Sequence, residues 1–152
     1  MSRWETERPV TLKVVRALPA DKLDYRPHAR SRSAGELASL LAYEAQTAVE
    51  MFDYGKVDWN EPKPPASLQD IVIALQLSNQ QVLDRFRKFD DEAWAKKITF
   101  FVNGTKAMEE SFGDMMWGTF FDTIHHRGQL SAYIRPMGGK VPAIYGPSAD
   151  EQ

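Results

Sequence analysis

Apolar residues recur at helical spacing in four separate segments of the chain, and prolines or glycines interrupt the sequence between them. Apolar positions three and four residues apart form one face of a helix, and that face must be buried against another element. Four such segments with short or medium connections predict an all-α four-helix bundle. The length of 152 residues suits a single domain spanning residues 1–152.

Capping residues define the first two predicted helices. The first is expected from about Trp4 to Leu18, where Pro19 stops it because proline cannot continue a helix. The second is expected to begin after Ser33, since Glu36 follows three residues later in the spacing of a capping box. Gly55 is expected to end it, because glycine readily adopts the left-handed conformation found after helices.

The remaining two helices are predicted in the same way. Ser67 is the expected cap of the third helix, with Asp70 at the matching position, and the helical pattern continues to about Phe89. The fourth helix is predicted from about Lys106 to Met137, followed by two glycines. It is the longest of the four and carries two of the chain's three histidines.

One stretch before the fourth helix has strand character. Residues 98–102 are β-branched or aromatic, and Asn103-Gly104 after them is a turn signal. Because a single extended run makes no sheet, we expect this stretch to be a connection lying across the bundle.

Composition narrows the function classes. The formal net charge is −2, from 19 basic and 21 acidic residues, and no basic block is present, so no nucleic-acid partner is expected. The chain has no cysteine, which excludes disulfides and a protein thiol as nucleophile or metal ligand. The polar N-terminus and the lack of an apolar run of ~20 residues predict a cytoplasmic protein without a membrane anchor.

Asp122 and His126 form the one pattern that indicates chemistry. Their spacing of four residues places both side chains on one helix face, where together they could bind a divalent metal ion. His125 and Gln129 form a second such pair, rotated by about 100°, so only one of the two histidines is expected to face the interior. The alternative is a hydrogen-bonded Asp–His pair that merely stabilises the helix.

Neighbouring side chains on the same helix are given structural roles. Arg127 is expected to be exposed to solvent, with pairing to an acid on a neighbouring helix, or capping of a carboxylate ligand, as the alternatives. An apolar and aromatic group on this helix is expected to be core, with a subunit interface as the next choice. Its members are Phe112, Met115, Met116, Trp117, Phe120 and Phe121.

Several motifs in this order resemble one known family, the DinB-like (damage-inducible, YfiT-like) proteins. The most specific is FDTIHHRGQLSAYIR at residues 121–135, followed by PMGGKVPAIYGPS at residues 136–148. Residues 18–19, 23–28 and 33–37 are similar to the family's first loop and second helix. The resemblance covers nearly the whole chain.

The resemblance implies a four-helix bundle of up-down-down-up type that is often dimeric. Many members resemble metal-dependent enzymes whose Zn or Ni is held by one histidine of the second helix and two of the fourth. Some relatives transfer low-molecular-weight bacterial thiols such as mycothiol or bacillithiol. In those enzymes, the metal would stabilise the reactive thiolate.

Carrying that ligand set onto this chain gives an altered site. His126 matches the second histidine of the fourth helix, and Asp122 stands where the first often is. Leu40 stands where the second-helix histidine usually follows the Gly-Glu-Leu motif, and leucine cannot coordinate a metal. Glu44 lies one turn beyond Leu40 on the same face and is the candidate substitute. The expected metal ligands are therefore Asp122, His126 and Glu44, with Zn or Ni bound weakly or not at all.

Three functional hypotheses follow. The preferred one is a family member of unassigned substrate that has a degenerate metal site and little or no catalysis, acting as a binding module. The alternative is a metal-dependent hydrolase or low-molecular-weight-thiol transferase. A third is a structural dimer whose interface is the aromatic part of the fourth helix. The expected partners are a second copy of the chain and a small-molecule thiol or other small ligand.

Overall fold

The computed structural model describes residues 2–152, which are mostly helical. The long helices are α1 (Ser2–Arg16), α2 (Ala34–Tyr54), α3 (Leu68–Phe86) and α4 (Phe112–Ile134). Three strands form a small sheet, and they are β1 (Lys56–Trp59), β2 (Lys97–Val102) and β3 (Thr105–Ser111). Two short 3-10 helices cover Ala20–Lys22 and Asp91–Ala95. None of the helices described in residues 2–152 combines the length and apolarity needed to cross a bilayer.

The capping residues predicted for α2 are observed. The hydroxyl of Ser33 accepts a hydrogen bond from the backbone N–H of Glu36, and the Glu36 carboxylate accepts one from the backbone N–H of Ser33. At the other end, Gly55 has a φ of 63° and donates its N–H to the carbonyl of Met51. These contacts satisfy backbone groups that have no partner inside the helix, and so they fix where α2 begins and ends.

The remaining predicted boundaries agree to within a few residues, except for the start of α4. Ser67 caps α3 by accepting from the N–H of Asp70 at 3.1 Å. The helix ends at Phe86 rather than at about Phe89. Likewise, α1 ends at Arg16, slightly before the predicted Leu18.

A three-stranded sheet replaces the predicted connection across the bundle, so the chain is not all-α. β1 pairs with β2 in parallel, and β2 pairs with β3 antiparallel through a two-residue turn. Asn103 and Gly104 occupy that turn with φ values of 49° and 76°, the positive values that the tightest hairpins require. The expectation that residues 98–102 had no strand partner was wrong, because both partners lie outside that run.

The predicted start of α4 at Lys106 is also wrong. Residues from Lys106 to Ser111 belong to β3, and α4 begins at Phe112. Several residues of this stretch favour helices, but pairing with β2 overrides that preference. Ser111 is the actual cap, since its hydroxyl accepts from the N–H of Asp114 at 3.1 Å.

A layer of buried polar residues separates two apolar clusters within the bundle. One cluster includes Leu37, Leu41, Leu75 and Ile134, and the other includes Met51, Phe86, Phe112 and Met116. Along α1, α3 and α4, the buried polar residues lie between residues of one cluster and residues of the other. On α2, Glu44 and Thr47 are the buried polar residues nearest the point where one cluster ends and the other begins. This polar layer comprises Glu7, Thr11, Glu44, Thr47, Ser78, Asn79 and Arg127.

The aromatic group of α4 divides between core and surface. Phe112, Met115 and Met116 are buried in the second cluster, as predicted. Trp117 and Phe121 are exposed and stack on one another with ring centroids 5.6 Å apart. Trp117 and Phe121 therefore add apolar area to the surface of α4.

Candidate metal centre

Glu44 of α2 lies against α4 in the middle of the bundle. Its residue is only 1% exposed, so its carboxylate needs partners to offset the loss of water. One carboxylate oxygen accepts a hydrogen bond from the Thr123 hydroxyl at 2.7 Å, and the other lies 2.5 Å from Nδ1 of His126. These contacts join α2 to α4 at the polar layer.

Asp122 completes a group of three potential metal ligands. Its Oδ1 lies 3.8 Å from Nδ1 of His126, and its side chain is 55% exposed. One donor atom from each of Glu44, Asp122 and His126 lies within 4.8 Å of the other two. Two carboxylates and one imidazole are all groups that bind divalent metals. The donor set therefore fits such an ion, and the exposed side of Asp122 leaves one face of the site open.

Leu40, where the resemblance led us to expect a histidine in the family, is part of the core. It is buried in the apolar cluster that contains Leu37 and Leu41. Glu44 is one turn further along α2, and its carboxylate contacts both Thr123 and His126. The side chain considered as a substitute for the missing histidine is thus in contact with α4.

His126 rather than His125 faces α2, in agreement with the helical spacing. His125 is exposed, and its Nε2 lies 2.8 Å from the amide nitrogen of Gln129. The side chain of His126 is mostly buried against Glu44. Thr123 was missed by the sequence analysis, although its position three residues before His126 places it on the same side of the helix.

Burial and hydrogen bonding shift the protonation of the Glu44–His126 pair. Burial raises the pKa of Glu44 by disfavouring the charged carboxylate, and the hydrogen bonds from His126 and Thr123 oppose that shift. The hydrogen bond to Glu44 raises the pKa of His126, and partial burial opposes it. The pKa at which the pair loses its proton therefore lies above that of a free imidazole, because a buried carboxylate stabilises the imidazolium.

Two clefts adjoin the three residues on different sides. Glu44 and Asp122 line a cleft of about 550 Å³ between the sheet and α4, together with Trp59, Phe100 and other apolar side chains. His126 lines a separate cleft of about 460 Å³ near Arg32. The larger cleft has the size of a small-molecule site, and the two carboxylates lie on its wall.

Arg127 is buried, which corrects the expectation that it would be exposed. Only 2% of the residue is accessible, and its Nη1 donates to Oε2 of Glu7 on α1 at 2.5 Å. Its Nη2 donates to the Tyr145 hydroxyl at 2.5 Å, and that hydroxyl donates to the same Glu7 oxygen. Glu7 lies one turn before the buried Thr11, but nothing in its local pattern indicates Arg127 as its partner.

Solved structures share this architecture. A DinB-like protein of Bacillus cereus ATCC 10987 has a TM-score of 0.80 and 17% identity, with 95% of this chain and 94% of that chain covered. A DinB-like protein of Bacillus subtilis has a TM-score of 0.73 and 19% identity, with 95% and 96% covered. At these identities the similarity establishes the fold alone. No curated protein matches the chain in sequence.

The family follows from the sequence as a whole. The profile of the DinB family matches residues 1–152, and each of the two DinB-like structures covers 95% of the chain. The histidine-containing motif of α4 lies at the polar layer in this chain, beside a carboxylate from α2. The chain therefore belongs to the DinB family.

Proposed function

We propose that this protein binds one divalent metal ion through Glu44, Asp122 and His126, beside a cleft for a small molecule. The observation that supports this most strongly is the contact of the Glu44 carboxylate with His126. It places a metal-binding group against α4 although Leu40 offers none. The site would then have a changed set of ligands, with Glu44 as the ligand from α2.

The ligand set favours particular metals. Imidazole binds Zn²⁺ and Ni²⁺ well, whereas carboxylates also suit harder ions such as Mn²⁺. Replacing histidines by Glu44 and Asp122 should therefore narrow the difference in affinity between Zn²⁺ or Ni²⁺ and Mn²⁺. Mn²⁺ is expected to bind most weakly of the three, because both Zn²⁺ and Ni²⁺ bind a given nitrogen and oxygen site more strongly than Mn²⁺ does.

The open face of the site determines what chemistry is available. When bound, a divalent ion would lower the pKa of a water or thiol coordinated to it, which serves hydrolysis or thiol transfer. Asp122 is the most exposed of the three residues, so ligand exchange would occur on its side. Thr123 holds Glu44 in place by donating to its second oxygen.

A metal-free binding module is the second candidate, and one observation favours it. The Glu44 carboxylate is satisfied without a metal, since Thr123 donates to one oxygen and His126 pairs with the other. The buried charge therefore does not require an ion. In this case the cleft would bind its ligand without chemistry at Asp122.

Calorimetric titration separates the two candidates. Tag-free protein stripped with a chelator would be titrated with Zn²⁺, Ni²⁺ and Mn²⁺ in turn. We expect about one ion per chain, with loss of binding in His126→Ala and retention in His125→Ala. The adjacent histidine is a matched control because it is exposed on the same helix and lies outside the group of three. Absence of binding in the wild-type chain would leave the metal-free module.

A further inference from the structure

The larger cleft is lined by carboxylates in addition to the two that are candidate metal ligands. Glu110 of β3 and Asp114 of α4 line it in addition to Glu44 and Asp122, and no lysine or arginine is among its lining residues. The single ionisable base on its wall is His125, which is exposed and lies beside Gln129. The cleft therefore presents carboxylates without nearby basic side chains on its own walls.

The negative charge persists whether or not a metal is bound. Without a metal, Glu44 pairs with His126, and Glu110 and Asp114 lie outside that pair. With a divalent ion, its two charges balance Glu44 and Asp122, and Glu110 and Asp114 remain. A cleft of one charge sign attracts ligands of the opposite sign and repels those of its own.

The other walls of the cleft are apolar and aromatic. Trp59 stacks on Phe100 with ring centroids 6.1 Å apart, and both rings line the cleft. Phe121 lines the same space and is 62% exposed. Aromatic faces attract organic cations through the ring quadrupole and also cover the apolar part of a ligand.

We infer that this cleft binds a small organic cation with an apolar body, such as an arylalkyl amine. The ammonium group would be attracted to Glu110 and Asp114, and the apolar body would pack on the aromatic wall. The inference rests on the proposed function for the role of Glu44 and Asp122 as metal ligands, and it names the class of molecule brought to them. It disfavours thiols that carry several carboxylates.

Glu110 is the best residue with which to test this charge preference. It forms no ion pair within residues 2–152, whereas Glu109 beside it pairs with Lys106 at 2.8 Å. Glu110 lines the cleft and Glu109 does not. Glu110→Gln therefore removes one cleft charge without breaking a structural contact, and Glu109→Gln is the matched control on the same strand.

The experiment uses three probes of similar shape and different charge. Phenethylamine, phenethyl alcohol and hydrocinnamate would each be titrated calorimetrically into chelator-treated protein and into metal-loaded protein. We expect the amine to bind about tenfold more tightly than the carboxylate in the chelator-treated form. In that form the probe carboxylate has no metal to coordinate, so the comparison reports the charge of the walls.

Glu110→Gln should weaken the amine severalfold, and Glu109→Gln should leave its affinity unchanged. Phe121→Leu should also weaken it, because leucine keeps the bulk but removes the aromatic face. The inference would be overturned if hydrocinnamate bound the chelator-treated form as tightly as the amine or more tightly. It would also be overturned if a second copy of the chain occupied the cleft and excluded the amine. If the protein binds the amine selectively but takes up no metal ion, only the proposed metal site is refuted.

Discussion

The carboxylate of Glu44 lies 2.5 Å from Nδ1 of His126 and joins α2 to α4 in the middle of the bundle. A buried carboxylate in this position is stabilised by the imidazolium and by the Thr123 hydroxyl. The same carboxylate is a ready metal ligand once the proton on His126 is displaced. Protons and divalent ions therefore compete for one pair of side chains.

Glu44→Gln should reduce metal affinity by more than about tenfold, because an amide cannot supply the charge of a carboxylate ligand. Glutamine retains the size of the side chain and can still accept from Thr123, so the fold should persist. Calorimetric titration with Zn²⁺ measures the change. Glu50→Gln on the same helix is the control, since Glu50 is half-buried and outside the group of three. Equal losses in the two variants would contradict the role given to Glu44.

Raising the pH should destabilise the metal-free protein and strengthen metal binding. The pKa of His126 is raised in the folded state by its hydrogen bond to Glu44, so the folded state binds this proton more tightly than the unfolded state. The resulting stability is fully present below the unfolded pKa of about 6.5 and is lost as pH rises through the higher folded pKa. Burial raises the pKa of Glu44 as well, which acts in the same direction from a lower starting pH.

Urea unfolding of chelator-treated protein across this range measures the first effect. Wild type should lose stability between pH 6 and pH 9 more steeply than His126→Gln. Zn²⁺ titrations over the same range should show affinity rising with pH, because metal binding releases the proton. Parallel slopes for wild type and variant would argue against the raised pKa.

Arg127→Ala should destabilise the protein by about 3 to 5 kcal/mol, the usual cost of leaving one member of a buried ion pair alone. Glu7 would lose its charged partner and keep only the hydrogen bond from the Tyr145 hydroxyl, which would itself lose the donor that Arg127 supplies. Urea unfolding measures the free energy. Arg87→Ala, which breaks an exposed pair with Asp84, should change it by less than about 1 kcal/mol. Similar effects in both variants would mean that the buried pair contributes little.

Ser111→Ala tests the corrected start of α4. Because Ser111 is the cap, its loss should cost about 1 kcal/mol of unfolding free energy. If α4 began at Lys106 instead, Ser111 would be an interior helical residue and alanine would be neutral or stabilising. Ser131→Ala, within α4, is the control and should stay within about 0.5 kcal/mol of wild type. The sign of the difference decides between the two boundaries.

Features that depend on residues a few positions apart could be predicted from the sequence. The caps at Ser33 and Ser67 depend on residues three positions further on. The inward orientation of His126 depends only on helical geometry. Periodicity also placed Glu44 on the face of Leu40, and the structure adds that this position of α2 contacts Thr123 and His126.

Features that depend on distant pairing could not be predicted. The partner strands β1 and β2 are separated by the whole of α3. β3 is exposed along almost all of its length, so it lacks the alternation of apolar residues that marks a half-buried strand. Arg127 and Glu7 come from opposite ends of the chain, and only the packing of α1 on α4 brings the two charges together.

Anomalous diffraction from crystals soaked with Zn²⁺ would show whether Glu44, Asp122 and His126 together bind one metal ion. Data collected on both sides of the zinc absorption edge would locate the ion without assuming its ligands. We expect one strong anomalous peak bound by the side chains of Glu44, Asp122 and His126, and a much weaker peak in Glu44→Gln crystals soaked at the same zinc concentration. A peak held by other residues, or Glu44 still paired with a protonated His126 at full zinc concentration, would contradict it.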